Sequence, residues 1–171
     1  WPVLYMHDGQ NLFDPGAPWG GWRMQDAVKT VGQDVLIVGI ENTAERLEEY
    51  GHVDDTLSGT TYTSKNEAYG DLVSKVVRPL IEGEYATTEL RGIMGSSMGG
   101  VASLALAHGG DYDFVGSLSG TLGWGMFGST GPSLESWYVT DGPKDTVVFV
   151  DSGGSDGGDG CTDPDSDGLP E

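Results

Sequence analysis

The residue best placed for chemistry is Ser97, which stands between Gly95 and Gly99 in a Gly-x-Ser-x-Gly motif. Residues 90–94 before it read as a buried strand, and residues 101–108 after it are rich in Ala and Leu, as in a helix. A tight turn from strand to helix exposes the serine hydroxyl at its apex as a nucleophile. Side chains in place of the two glycines would collide with the neighbouring strand and helix. The alternative is a Gly/Ser turn that only begins a helix.

A serine nucleophile would also need a carboxylate partner. The hydroxyl is weak at neutral pH, so it needs an adjacent base, and the base needs an acid that fixes its tautomer. The acid belongs at the carboxyl end of a later strand, and the apolar run 146–150 leads into such a loop. Asp156 is the first candidate, because the glycines before it allow the chain to fold back over the sheet. Asp151 is the second candidate and Asp159 is the third.

The base is expected to be a histidine. In proteins whose nucleophilic serine stands at such a strand-to-helix turn, the three residues follow along the chain in the order serine, acid, histidine. His7 and His52 precede Ser97, so we assign the first a positioning or structural role and the second a place in a loop. His108 ends the predicted helix after the serine, where the helix dipole favours a cation, and is interpreted as structural. The catalytic histidine is therefore predicted to lie beyond residue 171. A chain without it would be impaired by several orders of magnitude.

The loop after the first predicted strand could stabilise negative charge on a substrate's carbonyl oxygen. Residues 7–14 read His-Asp-Gly-Gln-Asn-Leu-Phe-Asp and are typical of a turn. Gly9 would let the backbone turn inward, so that its own N–H or that of Gln10 faces the serine. The N–H of Met98, at the start of the predicted helix, would be the second donor. Such donors contribute about 3 kcal/mol each. The alternative is an ordinary connection held by Asp and Asn side chains.

Two further features could contact a substrate. Arg46 follows the predicted strand at 35–40, where α/β proteins place their clefts, and could hold an acyl or carboxylate group. The alternative, which we favour, is a salt bridge with Glu45, Glu49 or another acid. Residues 121–138 are rich in Gly and aromatic residues, and would either wall an acyl or aryl pocket or cover the core.

Strand-like and helix-like runs alternate along the chain, which predicts an α/β fold with a mostly parallel central sheet and helices on both faces. The run at 35–40 is continuously apolar and is expected to be a central strand. Ser64 and Glu67 have the spacing of a capping box, and Pro79 is expected to bend or break the following helix. Residues 53–63 are predicted to form a loop. The predicted strands are 2–6, 35–40, 90–94, 114–118 and 146–150, and the predicted helices are 22–31, 64–81 and 101–107.

The charge of the chain limits its partners. A net charge of −19 over 171 residues argues against binding to nucleic acid or to an anionic membrane, and no apolar run reaches the length of a membrane span. The chain begins inside a strand-like run and ends within an acidic loop, so we expect it to be truncated at both ends. Residues 1–150 would form a partial core domain, and residues 151–171 an acidic loop rich in Gly and Asp.

The acidic loop contains the single cysteine and a candidate calcium site. Cys161 has no Cys or His pattern for zinc, and we favour a disulfide with a partner outside this chain, which fits a periplasmic or extracellular protein. Asp163, Asp165 and Asp167 have the Asp-x-Asp-x-Asp-Gly spacing of a structural calcium loop. The bidentate Glu of such a loop would fall past residue 171, and the alternative is a solvated acidic loop.

Several stretches together resemble an esterase family of the α/β-hydrolase superfamily. This family includes enterobactin-type esterases, feruloyl and acetyl xylan esterases, S-formylglutathione hydrolase and mycolyltransferases. Its most specific motifs here are the His-Asp-Gly-Gln-Asn-Leu-Phe-Asp run and the Gly-Ser-Ser-Met-Gly-Gly run. The matching stretches are 3–14, 38–42, 46–50, 95–100, 118–120 and 150–153.

The resemblance implies an α/β-hydrolase fold with Ser97 as nucleophile and Asp156 at the acid position. It implies a serine carboxylic ester hydrolase that acts through an acyl-enzyme on a small-molecule ester, with no cofactor for the chemistry. The family's histidine-bearing segment is absent from this sequence. Alternatives are an acyltransferase on the same fold and a non-catalytic or calcium-binding exported protein. The ester and the oligomeric state stay open.

Overall fold

The computed structural model describes residues 1–17, 21–129, 131–142 and 145–151. The strands are β1 (Val3–His7), β2 (Leu36–Ile40), β3 (Asp55–Leu57), β4 (Thr60–Tyr62), β5 (Arg91–Ser96), β6 (Phe114–Leu118) and β7 (Val147–Asp151). Five of them form one sheet in the order β2-β1-β5-β6-β7, in which every neighbouring pair is parallel. The other two, β3 and β4, form an antiparallel hairpin. The predicted α/β fold with a parallel central sheet is confirmed.

One helix lies at the centre of the core. The helices are α1 (Met24–Val31), α2 (Arg46–Tyr50), α3 (Asn66–Leu72), α4 (Arg78–Glu84), α5 (Met98–Ala107) and α6 (Leu134–Asp141). Most of α5 is buried, and it packs against both β5 and β6. Its residues are small or apolar on every side, as a helix enclosed by protein requires. In the described part of the chain, no helix has the length and apolarity needed to cross a bilayer.

The strand at 35–40 does not have its predicted place. We expected it to be central, but β2 lies at one end of the described sheet, beside β1 only. Of its five residues only Ile40 is buried. A continuous apolar run indicates that both faces of a strand are partly covered, and it does not report the position of that strand in the sheet. Within the described sheet, the prediction of a central strand is therefore wrong.

Residues 53–63 contain the β3–β4 hairpin where a loop was predicted. Its turn residues, Ser58 and Gly59, have φ of 53° and 81°, the left-handed conformation that two-residue hairpin turns require. The predicted capping box is also absent: α3 begins at Asn66, and the hydroxyl of Ser64 donates to the carbonyl of Gly51 instead. The hydroxyl of Ser64 thus bonds a carbonyl 13 residues away, a partner that the local pattern could not show.

The helical run around Pro79 is interrupted as predicted. Between α3 and α4 the chain forms a π-helical segment at Val73–Val77, and Pro79 lies in the first turn of α4. Proline lacks an N–H group and crowds the turn before it, and a wider π turn relieves that crowding.

Candidate active site

Ser97 occupies a strained turn between β5 and α5. Its φ of 55° and ψ of −123° form a conformation that residues with a side chain rarely adopt. The N–H of Ser97 donates to the carbonyl of Leu118 at 3.0 Å, and its own carbonyl accepts from the N–H of Thr121 at 3.2 Å. These bonds to the end of β6 and the loop after it hold the turn. The hydroxyl of Ser97 lies 3.2 Å from the hydroxyl of Thr121, a partner that sequence analysis missed.

The two glycines of the motif allow this turn to close. A Cβ atom placed on Gly95 would lie 2.6 Å from the carbonyl carbon of Gly99, so any side chain there would push β5 and α5 apart. A Cβ on Gly99 would lie 3.2 Å from the Cβ of His7 on β1. The predicted collision is confirmed for Gly95, whereas a side chain at Gly99 would meet a tight contact that requires the neighbour to shift by a few tenths of an ångström.

Ser97 opens onto a cleft of about 510 Å³ at the carboxyl ends of β1, β2 and β5. This is the edge at which parallel α/β sheets bind ligands. The cleft brings Ser97 together with Gln10, one of the predicted oxyanion residues, and with Arg46. Met98 follows as the first residue of α5, where an N–H has no acceptor inside its own helix. The cleft is lined by Asp8, Gln10, Asn11, Trp22, Asn42, Arg46, Ser96 and Ser97.

The loop that carries Gln10 is a single 3₁₀ turn, Gly9–Asn11. We expected Gly9 to supply its unusual backbone angle, but the left-handed residue is Asp8, with φ 57° and ψ 47°. Gly9 is required for a different reason, since a Cβ there would lie 2.6 Å from the carbonyl carbon of Gly39 on β2. The Gln10 side chain donates to the side-chain oxygen of Asn42, which joins the loops after β1 and β2 across the cleft.

Asp8 forms a two-point salt bridge with Arg46. The Nε of Arg46 lies 2.7 Å from Oδ1 of Asp8, and its Nη2 lies 2.8 Å from Oδ2. This hydrogen bonding to the carboxylate raises the pKa of Arg46 above its usual value. The guanidinium also lies 5.1 Å from the ring centre of Tyr50. The favoured prediction of a salt bridge is correct, although the partner is neither Glu45 nor Glu49.

His7 is buried beneath the cleft. Its Nδ1 lies 2.7 Å from the hydroxyl of Tyr69, and its ring packs against the rings of Tyr50 and Tyr69. Burial is the main cause that lowers the pKa of His7 to about 4, so the ring is neutral at pH 7. A buried neutral imidazole between two tyrosines has a structural place, as the sequence analysis expected.

The other two histidines both contact the ring of Trp137 in α6. The Nε2 of His52 lies 3.0 Å from the carbonyl of Pro132, and burial lowers the pKa of this histidine. His108 packs against Trp137 at a ring-centre distance of 5.5 Å. Within the described residues no histidine is hydrogen bonded to the hydroxyl of Ser97.

Of the three candidate acids, only Asp151 lies within the described residues. It ends β7, and its Oδ1 accepts a hydrogen bond from the N–H of Ser119 at 2.6 Å. This bond joins the ends of β6 and β7. Asp156 and Asp159 lie outside the described residues, so the choice of acid stays a prediction.

The candidate calcium ligands Asp163, Asp165 and Asp167 also lie outside the described residues, as does Cys161. In the ranges that the structure does describe, no group of three or more His, Cys, Asp or Glu side chains could hold a metal ion. Calcium binding by the acidic loop stays a prediction.

The aromatic loop 121–138 mainly covers the core. Trp124 is fully buried, and its indole N–H donates to the carbonyl of Val53 at 2.9 Å. The last part of the loop forms α6, which begins after Ser133, whose hydroxyl accepts from the N–H of Ser136. Among the described residues, the aromatic residue that lines the cleft is instead Trp22, the first residue of the predicted helix 22–31.

Asp55 anchors this covering loop and was missed by sequence analysis. Its buried carboxylate accepts hydrogen bonds from the backbone N–H groups of Thr56, Gly125, Phe127, Gly128 and Ser129. Burial opposes ionisation of this group, but the N–H donors outweigh that effect and hold the pKa of Asp55 well below its usual range. No local sequence signal joins one aspartate to a loop 70 residues away.

Comparison with protein families identifies the chain. A family model described as "Putative esterase" matches residues 1–163. The chain belongs to this esterase family. The resemblance inferred from the Ser97 motif and the His-Asp-Gly-Gln-Asn run is therefore confirmed. Comparison with curated proteins found no match.

Solved structures of esterases share the fold. An IroE-like serine hydrolase from Shewanella oneidensis superposes with a TM-score of 0.69 at 23% identity, over 88% of this chain and 50% of that one. The enterobactin esterase FES from Shigella flexneri, in the presence of 2,3-dihydroxy-N-benzoyl-glycine, superposes with a TM-score of 0.61 at 14% identity, over 86% of this chain and 38% of that one. The BES protein from Bacillus cereus superposes with a TM-score of 0.61 at 17% identity, over 88% of this chain and 61% of that one. The chain thus spans about half the length of these α/β-hydrolase-type neighbours.

Proposed function

We propose that Ser97 is the nucleophile of a serine carboxylic ester hydrolase that works through an acyl-enzyme. The observation that carries this proposal is the strained backbone of Ser97, which sets the hydroxyl between a parallel strand and a buried helix at the mouth of the cleft. This is the geometry of a nucleophile elbow. Membership of an esterase family supports the same reaction class.

In the proposed mechanism the Ser97 oxygen attacks the ester carbonyl while a base removes its proton. The negative charge that develops on the carbonyl oxygen would be stabilised by the N–H of Met98 and the N–H of Gln10. The first belongs to the first turn of α5, where the helix dipole adds to the effect, and the second to the 3₁₀ turn after β1. Collapse of the intermediate expels the alcohol and leaves an acyl-serine, which water then hydrolyses.

The base is proposed to come from outside these 171 residues. His7, His52 and His108 each have another place in the structure, and none is bonded to Ser97. Asp156 is proposed as the acid that orients this base. Asp156 is preferred because the glycines before it allow the chain to fold back over the sheet. Asp151, whose Oδ1 accepts from the N–H of Ser119, has a second oxygen that could also serve a base and stays the second candidate.

The substrate is proposed to be a small ester with polar groups. Five of the eight residues that line the cleft carry amide, carboxylate or guanidinium groups, and Trp22 supplies one broad aromatic surface. Structural neighbours include a siderophore hydrolase, EstB of Aspergillus nidulans, and the enterobactin esterase from Shigella flexneri.

The alternative activity is acyl transfer to an alcohol. Adding an alcohol acceptor during turnover separates hydrolysis from acyl transfer, since only a transferase would form the new ester in preference to the acid.

The decisive experiment uses a version of the protein extended past residue 171 along its natural sequence. It should hydrolyse p-nitrophenyl butyrate, and Ser97→Ala should lower kcat/KM by about 10⁶-fold, because the nucleophile is lost. A fluorophosphonate probe should label Ser97 in the unmutated protein. Ser136→Ala, on α6 away from the cleft, serves as the matched control. Turnover that survives in Ser97→Ala would refute the assignment.

A further inference from the structure

The salt bridge between Asp8 and Arg46 joins the two sides of the proposed oxyanion site. We infer that this pair is a positioning device that fixes the spacing between the N–H of Gln10 and the N–H of Met98. The inference rests on the proposed function and adds to it a role for two residues that need not touch the reacting atoms. It is carried by contacts of the pair with both loops that bear these donors.

On the first side, the pair holds the loop after β1. Asp8 is the left-handed residue immediately before the Gly9–Asn11 turn, so its backbone angles set the direction in which Gln10 points. Its N–H donates to the hydroxyl of Tyr50 at 3.1 Å, and both carboxylate oxygens accept from Arg46. The backbone and the side chain of Asp8 are therefore both tied to α2.

On the second side, the pair contacts the serine turn. Nη2 of Arg46 lies 3.4 Å from the carbonyl oxygen of Ser96, the residue before the nucleophile. Oδ2 of Asp8 lies 3.3 Å from the position that a Cβ of Gly99 would occupy, so the carboxylate packs on the first turn of α5. One guanidinium–carboxylate unit thus separates the Gln10 loop from the Met98 turn by a set distance.

Arginine is the residue suited to this task. Its planar guanidinium meets a carboxylate at two points and so fixes orientation as well as distance, whereas a lysine ammonium meets it at one point and can swing. Arg46 is itself held over the ring of Tyr50. A shift of one oxyanion donor by about 1 Å is enough to cost about 100-fold in rate.

The test compares Arg46→Lys with a matched variant at another two-point pair. This pair lies at the opposite end of β5, where Nε of Arg91 is 2.6 Å from Oε1 of Glu82 and its Nη2 is 3.2 Å from Oε2. In the extended protein, Arg46→Lys should lower kcat on p-nitrophenyl butyrate about 100-fold with KM unchanged, and Arg91→Lys should leave kcat unchanged. Asp8→Asn is the second variant and should also lower kcat, because it too removes the two-point contact.

Two results would overturn the inference. One is an unchanged kcat in Arg46→Lys. The other is a rise in KM confined to an ester that carries a carboxylate, such as p-nitrophenyl hemisuccinate, because this pattern would make Arg46 a substrate-binding residue.

A readout without turnover separates this inference from the proposed function. Backbone amide exchange followed by mass spectrometry should be faster in the segments 8–13 and 97–100 of Arg46→Lys than in the unmutated protein, and Arg91→Lys should not change it there. If the extended protein hydrolyses no ester, the proposed function fails while this exchange difference still supports the positioning role. Equal exchange in the two variants would refute the positioning role.

Discussion

The two ends of β5 carry the same interaction in different surroundings. At the amino end, Arg91 binds Glu82 of α4 at two points, and at the carboxyl end Arg46 binds Asp8 at two points beside Ser96. The two ends of the strand are roughly 16 Å apart. The chemistry of the two pairs is equal, so any difference in their effects must come from what each pair holds in place.

The amino-end pair joins a helix to a strand, while the carboxyl-end pair joins two loops around a cleft. The Arg91 and Glu82 side chains are 24% and 25% exposed, whereas those of Arg46 and Asp8 are 29% and 7% exposed. Asp8 also has a strained backbone, and Glu82 lies within a regular helix. In this sheet, the amino end of β5 is held by a pair within regular structure, and its carboxyl end lies beside a strained loop that shapes the cleft.

The largest expected effect concerns the two carboxylates. Asp8→Ala should lower the free energy of unfolding by about 3 kcal/mol, because it leaves a half-buried guanidinium without its partner. Glu82→Ala should lower it by about 1 kcal/mol, because the Glu82 side chain is 25% exposed and water can enter the space that it leaves, whereas the Asp8 side chain is only 7% exposed. Urea denaturation of the two variants measures both values. Equal losses would show that the ends of β5 do not differ in burial of charge.

The second prediction uses the buried histidine below the carboxyl end. The pKa of His7 is about 4 in the folded protein and 6.5 when the ring is exposed to water, as in the unfolded chain. The unfolded chain therefore binds the proton more tightly. The stability contributed by neutral His7 is complete above pH 6.5 and is lost as the pH falls towards 4. The loss is about 3 kcal/mol, as expected for a shift of this size.

Denaturation at a series of pH values checks this loss. His7→Phe should lack the part of the loss due to His7 between pH 6.5 and 4 and should keep the part due to His52, whose pKa is also lowered by burial. The depressed pKa values of Asp55 and Glu82 affect stability in the acid range, below the ordinary carboxyl pKa of about 4. A pH profile of the unmutated protein that stays flat from 6.5 to 4 would contradict the buried, neutral state of His7.

The smallest effect on activity is expected at one of two threonines, each of which contacts a residue next to an end of β5. Thr121→Val removes the hydroxyl that contacts Ser97 and should lower kcat/KM about fivefold, equivalent to one hydrogen bond of about 1 kcal/mol. Thr88→Val removes a hydroxyl that accepts from the N–H of Leu90 at the amino end, and should leave kcat/KM unchanged. Equal rates in all three proteins would show that Thr121 does not orient the nucleophile.

Local patterns predicted the parts of the fold that depend on neighbours in sequence. The Gly-x-Ser-x-Gly motif located the turn at Ser97, and alternating runs located all five strands of the sheet within two residues. The hairpin at β3–β4 and helix α6 were missed, because each is short and weakly amphipathic. Their stability comes from distant contacts such as those of Asp55, which no periodicity records.

Glycine spacing and apolar runs were enough to predict an α/β protein with a serine at a strand-to-helix turn, because both signals act over a few neighbouring residues. The esterase family was indicated by the resemblance of longer motifs and shown by the family model. The pairing of Arg46 with Asp8, the place of Trp22 in the cleft and the contact of Thr121 with the serine became visible only in the folded chain. Arg46 is 38 residues from Asp8, and Thr121 is 24 residues from Ser97. These residues meet only because parallel strands bring the loops at their carboxyl ends to one edge of the sheet.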